Sequence, residues 1–247
     1  MNAPEFKEEF YARYRSTHVA HQKGEASIAN FRTAFPNFRK KYGKLLPGNL
    51  DAMIVELGCG EGRFVYWLNE LGYRRVSGSD LSAEQIAAGQ ALGISNINVA
   101  NLFDVLAQAN QVFDVLLLRD VIEHFDRNSA FQILKLCHRA LKPGGRLILH
   151  LPNADSPFFG RIRYGDFTHE MAYSTNSLSQ VFNVLGFKNH QFRSDEGAAP
   201  TLRALPRLLC WKITECIYKF FLSSEIGFGP KIVTQNLIAA ADRSAHS

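Results

Sequence analysis

Glu56-Leu57-Gly58-Cys59-Gly60-Glu61-Gly62 sets three glycines at alternate positions directly behind the apolar run Met53-Ile54-Val55. Glycine admits left-handed backbone and lets a ligand touch the main chain, so such a bend at a strand end is a binding feature. A GxGxxG dinucleotide fingerprint needs glycine at position 63; Arg63 stands there, which disfavours NAD. Asp80 follows eighteen residues after Gly62 and closes another strand-like run. A carboxylate there can accept both hydroxyl protons of a ribose. Two histidines suit the part of general base toward a hydroxyl: His124, inside Asp120-Val121-Ile122-Glu123-His124-Phe125, and His169, in a polar stretch after the fifth strand. His150 lies within an apolar run and reads as structural, and His18 and His21 read as surface residues. Asp166, His169 and Glu170 fit no standard ligand spacing, so no metal is expected.

Short apolar runs and helical segments alternate from Met53 onward, and these must carry the groups above. The series is MIVEL, GRFVYWLNEL closed by Gly72, RRVSGSD, a helix opened by Ser82 with Gln85, NINVAN, FDVLLL, a helix near 128–141 stopped at LKPGG, and RLILHLPN. Five strands joined by helices imply a doubly wound α/β fold, a parallel sheet covered on both faces. A helix over 177–185 ends at Gly186, and FKNHQFRSD is a sixth strand. KIVTQNLIAAA is the seventh, expected antiparallel to its neighbour, which leaves 201–229 as a helical insertion before it. Pro47-Gly48-Asn49 separates this domain, 51–247, from a helical cap over 1–50, whose stripe Ile28, Phe31, Phe35, Phe38, Tyr42 and Leu45 Pro36 must kink or break.

With ELGCGEG, the acid of SGSDLS, FDVLLLRDVIEHF and LKPGGRLILHLPN in this order, the chain resembles the class I S-adenosylmethionine-dependent methyltransferases over roughly residues 50–190. The resemblance implies a Rossmann-like seven-stranded sheet and S-adenosylmethionine as cofactor, with S-adenosylhomocysteine as product. It puts Gly58, Gly60 and Gly62, with Cys59, beside the methionine and ribose portions, Glu56 in support of the bend, and Asp80 on the ribose hydroxyls with Leu81 next to it. Asn101 departs from the aspartate that many relatives carry; its carbonyl can accept from the adenine amino group, with Asp104 as the substitute, and Leu102 flanks the ring. Arg119 and Asp120 end the strand whose backbone holds the methionine end. The stretch 151–178 resembles bacterial methyltransferases of glycan, lipopolysaccharide or secondary-metabolite assembly, and it nominates Arg161, Arg163, Tyr164 and Asp166 for the acceptor pocket. The same likeness has the cap, with Tyr11 and Tyr14, close over the cofactor, while Arg39, Lys40, Lys41 and Lys44 either meet phosphate or serve solubility.

The chain of 247 residues, 46% hydrophobic and 21% charged, has core enough to exclude disorder. Its net charge of +5 is entirely N-terminal: nine Lys/Arg against four Asp/Glu up to residue 50, nineteen against nineteen beyond, and no nucleic-acid partner is expected. Four cysteines without CxxC spacing read as free thiols in a reducing compartment. No signal peptide and no apolar window of about 18 residues is seen, giving a cytoplasmic expectation. The amphipathic 205–221 segment is an acceptor lid, a homodimer face or a peripheral lipid contact. The first function to test is O-methylation of a saccharide, nucleotide-linked sugar or glycan precursor with His124 or His169 as base. The alternatives are another small metabolite or lipid-like intermediate, or a non-catalytic S-adenosylmethionine-binding protein.

Overall fold

The computed structural model describes residues 5–14, 16–17, 26–198 and 205–245; His18 and His21 lie outside them. Its first strand, β1 (Met53–Leu57), is buried almost throughout, as a central strand covered on both faces must be. β2 (Arg75–Asp80) and β3 (Ile97–Val99) lie to one side of it, and β4 (Phe113–Arg119) and β5 (Leu141–Pro152) to the other. β6 (Phe187–Ser194) and β7 (Asn236–Arg243) complete a seven-stranded sheet of order β3-β2-β1-β4-β5-β7-β6. β7 is antiparallel to both β5 and β6 and the remaining pairs are parallel, which is the doubly wound, mostly parallel architecture expected.

Helices cover both faces. The cap supplies α1 (Glu5–Ala12), α2 (Ile28–Thr33) and α3 (Phe35–Tyr42), with Pro36 in the first turn of α3, where its missing N–H costs nothing. The domain adds α4 (Arg63–Glu70), α5 (Ala83–Ala91), α6 (Leu102–Gln108), α7 (Arg127–Ala140), α8 (Phe159–Arg163), α9 (Thr175–Leu185) and α10 (Leu205–Ile226). Successive strand residues point to opposite cores. Ile54, Val115, Leu117 and Ile148 meet Phe31, Phe38, Phe64, Trp67 and Ile86 from α2, α3, α4 and α5. Val55, Leu116, Leu118 and Leu149 meet Leu106, Ile133, Leu178 and Phe182 from α6, α7 and α9. Phe31, Phe38, Tyr42 and Leu45 of the cap stripe are therefore core, with Phe35 packed against it and Ile28 outside it, and the cap lysines face elsewhere: Lys40 donates to the Gly197 carbonyl and Lys41 pairs with Asp195.

Two boundaries differ from expectation. β5 begins at Leu141, ahead of the Gly-Gly pair, with a register shift between Phe113 and Val115 of β4. β7 begins at Asn236, later than Lys231, because Asn153 Nδ2 donates to the carbonyls of Ile232 (3.0 Å) and Thr234 (2.9 Å), which occupies them outside the ladder. Among the described residues of the expected insertion there is one helix, α10, whose Lys212 reaches Glu196 (2.6 Å) and whose Glu215 pairs with Lys212 and Lys219 of the same helix (2.8 Å each). Its Leu209, Ile213, Ile217, Phe220 and Phe221 are exposed. Among the described residues no helix is long and apolar enough to cross a membrane.

His150 of β5 has the structural part its apolar surroundings suggested. Its Nδ1 lies 2.6 Å from Asp120 Oδ1 and its Nε2 3.3 Å from Asp195 Oδ1. Burial opposes the charge, yet the flanking carboxylates raise this imidazole well above its ordinary value. The stabilisation is complete below the unfolded histidine value of about 6.5 and is lost as pH rises through the folded one. The melting-temperature gap between wild type and His150→Asn should be widest below about pH 6.5 and narrow as the pH rises above it; a gap independent of pH would remove the charged pairing.

Candidate active site

The bend after β1 takes left-handed steps at Gly58 (φ +77°), Gly60 (φ +56°) and Gly62 (φ +76°). A Cβ on Gly58 would stand 2.2 Å from Val121 Cγ2, so the bend and the segment after β4 meet at a distance only glycine allows. Asp80, at the end of β2, fixes the bend: Oδ2 accepts from Gly60 N and Oδ1 from Ser82 N, both at 2.8 Å. Burial raises its pKa against the pull of these N–H donors. Below the bend, buried Glu56 receives the Arg119 guanidinium at 3.0 Å, and burial pushes its carboxyl up to about 7 despite that partner. Arg119 also lies over the rings of Phe64 (4.7 Å), Phe38 (4.9 Å) and Tyr42 (5.5 Å), which ties the cap to the strand ends.

One cavity of about 1980 Å³ opens above these strand ends. Glu56, Gly58, Cys59, Gly60, Asp80, Leu81, Asn101, Leu102, Arg119 and Asp120 line it, so ten of the nominated cofactor positions come together. Gly62 does not line it; it is the left-handed cap of α4, packed close to Ile97, and its part is to turn the chain. The Arg119 side chain is committed to Glu56 and the aromatic rings, and Asn101 Oδ1 caps α6 by accepting from Phe103 N at 2.9 Å. Asp104, the substitute for Asn101, lies in the first turn of α6 and does not line the cavity.

At the other end the loop between β5 and α9 contributes Arg161, Asp166 and His169. Arg163 and Tyr164 do not line the cavity: the Arg163 guanidinium donates to the carbonyls of His169 and Glu170, and Tyr164 is 75% exposed. No residue of α10 lines the cavity. α1 does cover it. Tyr14 donates to Asp166 Oδ2 at 2.6 Å, Lys7 donates to the His124 carbonyl at 2.5 Å and pairs with Glu170, and the Tyr11 ring lies 6.1 Å from that of His124.

The two histidines meet with ring centroids 4.6 Å apart. Thr168 Oγ1 gives its proton to Asp166 Oδ1 (2.6 Å), so it accepts from His124 Nδ1 (2.8 Å); His169 Nδ1 donates to the Ile162 carbonyl (2.9 Å). Both neutral rings therefore keep a lone pair on Nε2. Burial and the neighbouring His169 lower His124 to about 4, and burial also lowers His169. Against the upward push of burial, bonds from Thr168 and Tyr14 hold Asp166 at about 2. Lys7, Glu123 and Thr168 escaped the sequence reading; the spacing of Lys7, Tyr11 and Tyr14, which puts all three on one helical face, was the available signal for the first.

Gly58→Ala should lose about 2 kcal/mol or more, seen as a lower urea midpoint at unchanged slope. Gly93→Ala, at φ +88° in open space, should lose only roughly 1 kcal/mol of backbone strain. Equal losses would mean that Val121 yields without cost.

Residues 55–149 match a family model described as a methyltransferase domain. Ubiquinone biosynthesis O-methyltransferase of Parvibaculum lavamentivorans is 36% identical over 105 residues, 40% of each chain. O-methyltransferase resE of Aspergillus sclerotiorum is 26% identical over 154 residues, 56% of this chain and 57% of that one. The chain thus spans about 40% of the length of the first of these curated relatives. In fold it is similar to a SAM-dependent methyltransferase from Archaeoglobus fulgidus (TM-score 0.63, 20% identity, 86% and 94% of the two chains) and to DhpI in its SAH complex (TM-score 0.56, 15% identity, 97% and 94%). The matched residues 55–149, the sheet order and the bend after β1 agree: the chain has the fold of the class I S-adenosylmethionine-dependent methyltransferases, and the part of it that carries the bend matches a methyltransferase domain.

Proposed function

We propose that the protein uses S-adenosylmethionine to methylate a hydroxyl of a small polar acceptor, a saccharide, nucleotide-linked sugar or glycan precursor. The observation that carries this reading is the joining, in one cavity, of a glycine bend clamped by Asp80 with a pair of neutral imidazoles. Pockets for single small ligands occupy about 300–1,000 Å³, and this one is large enough for cofactor and acceptor together.

The residues fit the cofactor. Gly58 and Gly60 expose backbone where a side chain would collide with Val121 or Gln85, and each Asp80 oxygen keeps accepting capacity beyond the N–H bond it receives. Gly58, Gly60 and Asp80 would hold the nucleoside and amino-acid portions, with Leu81 and Leu102 against the base. When bound, S-adenosylmethionine supplies an electrophilic methyl group on sulfonium sulfur.

This chain's residues then have three tasks. α1 and the loop after β5 exclude water, latched by Tyr14 to Asp166 and Lys7 to Glu170. Arg161, Asn128 and Gln132 at the acceptor end offer polar contacts that orient a hydroxylated molecule. The His124 and His169 pair is the basic element that a hydroxyl acceptor requires, with tautomers fixed by Thr168 and Ile162. A phenolic acceptor is the second reading, favoured by the ubiquinone biosynthesis O-methyltransferases among the relatives.

S-adenosylhomocysteine at about a hundred times its dissociation constant should stabilise the protein by roughly 2.7 kcal/mol, and NAD should not. A response to NAD alone overturns the reading. Asp80→Ala should abolish the response, while His169→Gln keeps it and lowers turnover by about 10²-fold or more. Mass gain from a labelled methyl donor across sugars, phenols and amines separates the acceptors; methylation of amines alone would exclude both readings.

A further inference from the structure

We propose that Glu123, His124 and His169 form a divalent transition-metal site of the two-histidine, one-carboxylate kind, open toward the acceptor end of the cavity. This deepens the reading above, on which it rests for its purpose, though the binding itself is a separate property of the chain.

One potential donor atom from each of the three residues lies within 4.8 Å of the other two, and all three residues line the cavity. Ligands about 2.0–2.1 Å from zinc stand roughly 3.3 Å apart in a tetrahedron, so side-chain shifts of about an ångström complete the site. The orientation is already set. A metal-bound imidazole donates its other N–H to a carbonyl or a carboxylate-backed group, and both rings do this: His169 to the Ile162 carbonyl, His124 to Thr168, which in turn donates to Asp166. Glu123 supplies an independent observation. It is 1% exposed, and its Oε2 is buried with no hydrogen-bond partner among the described residues. Leaving a buried carboxylate oxygen unpaired is costly, and a cation removes the cost.

The surrounding charge agrees. Asp120 and Asp166 act on both histidines as neighbouring anions. The nearby cations are engaged: Lys7 with Glu170 and the His124 carbonyl, Arg163 with the carbonyls of His169 and Glu170. Sequence spacing had offered Asp166, His169 and Glu170, which fit no pattern; the fold instead uses Asp166 and Glu170 as supports and brings in Glu123. Two imidazoles and one carboxylate suit zinc, manganese, iron(II) or cobalt, whereas magnesium and calcium prefer oxygen alone. Three protein ligands would leave positions for an acceptor hydroxyl, and a bound cation would lower its pKa so that its proton passes to solvent water; with metal bound, both imidazoles are ligands and the base role described above belongs to the metal-free protein alone.

The test uses the full chain, freed of metal by dialysis against a chelator, then titrated with Co²⁺ by visible absorption and with Zn²⁺ by calorimetry. Expected are one equivalent bound, and affinity reduced by about tenfold or more in Glu123→Gln and in His169→Gln. His190→Gln, whose ring lies by the Phe187 carbonyl, should bind as wild type. Pulsed electron paramagnetic resonance of wild-type protein loaded with Cu²⁺ should show two imidazole nitrogens, a readout that needs no variant to fold. Absence of binding by wild type, unchanged affinity in both site variants, or coupling without two imidazoles overturns the proposal. A wild type that binds metal but ignores S-adenosylhomocysteine would overturn the methyltransferase reading alone.

Discussion

The chain leaves β1 toward β2 on one side and enters β4 on the other, so the segments that follow β1 and β4 diverge and a crevice opens between them. Nothing in the sheet can fill it. Its width is set where Gly58 passes Val121, and its shape by Asp80, which spends one carboxylate on two backbone N–H groups. Asp120 adds a left-handed step, φ +55°, at the end of β4, and its side chain reaches His150 on the neighbouring strand. The Glu56–Arg119 pair closes the floor. The crevice surface is thus made largely of main chain in left-handed turns that glycine adopts without strain, with the buried Glu56–Arg119 pair beneath it.

The far wall has a different origin. The loop after β5 has few apolar anchors and is shaped by polar bonds converging on Asp166 and Thr168. Those bonds also orient His124, so the loop's own structure and its chemistry share the same groups. Replacing one member of such a network disturbs the others, which makes double-variant comparisons the sound way to apportion their effects.

Much of this was legible in the sequence because it is local. The alternating glycines, the acid ending β2 and the apolar runs of β1 and β4 are read within a few residues, and the antiparallel end of the sheet follows from the break in βα rhythm. What stayed hidden depends on partners far along the chain. Lys7 meets residues 117 and 163 positions away, and Glu123 gains meaning only when His169 folds back onto it. Arg163 and Tyr164 looked like pocket residues by type, but a five-residue helix turns one onto the loop's own carbonyls and the other outward. Gly62 shares a motif with Gly58 and Gly60, yet the third glycine of that spacing starts a helix, and only the first two face the cavity.

α1 and the turn after it reach the domain through Lys7, Tyr14 and aromatic edges between Phe6, Phe10 and Phe167, with no strand or large apolar core of their own. Such an attachment opens at far lower free energy than the sheet does. Because this helix forms part of the wall, a molecule that touches both the helix and the cavity floor would favour the attached state, and by thermodynamic reciprocity the attached helix would tighten the hold on that molecule. Residues 5–14 would then report occupancy: a protease that nicks them would work more slowly as the cavity fills.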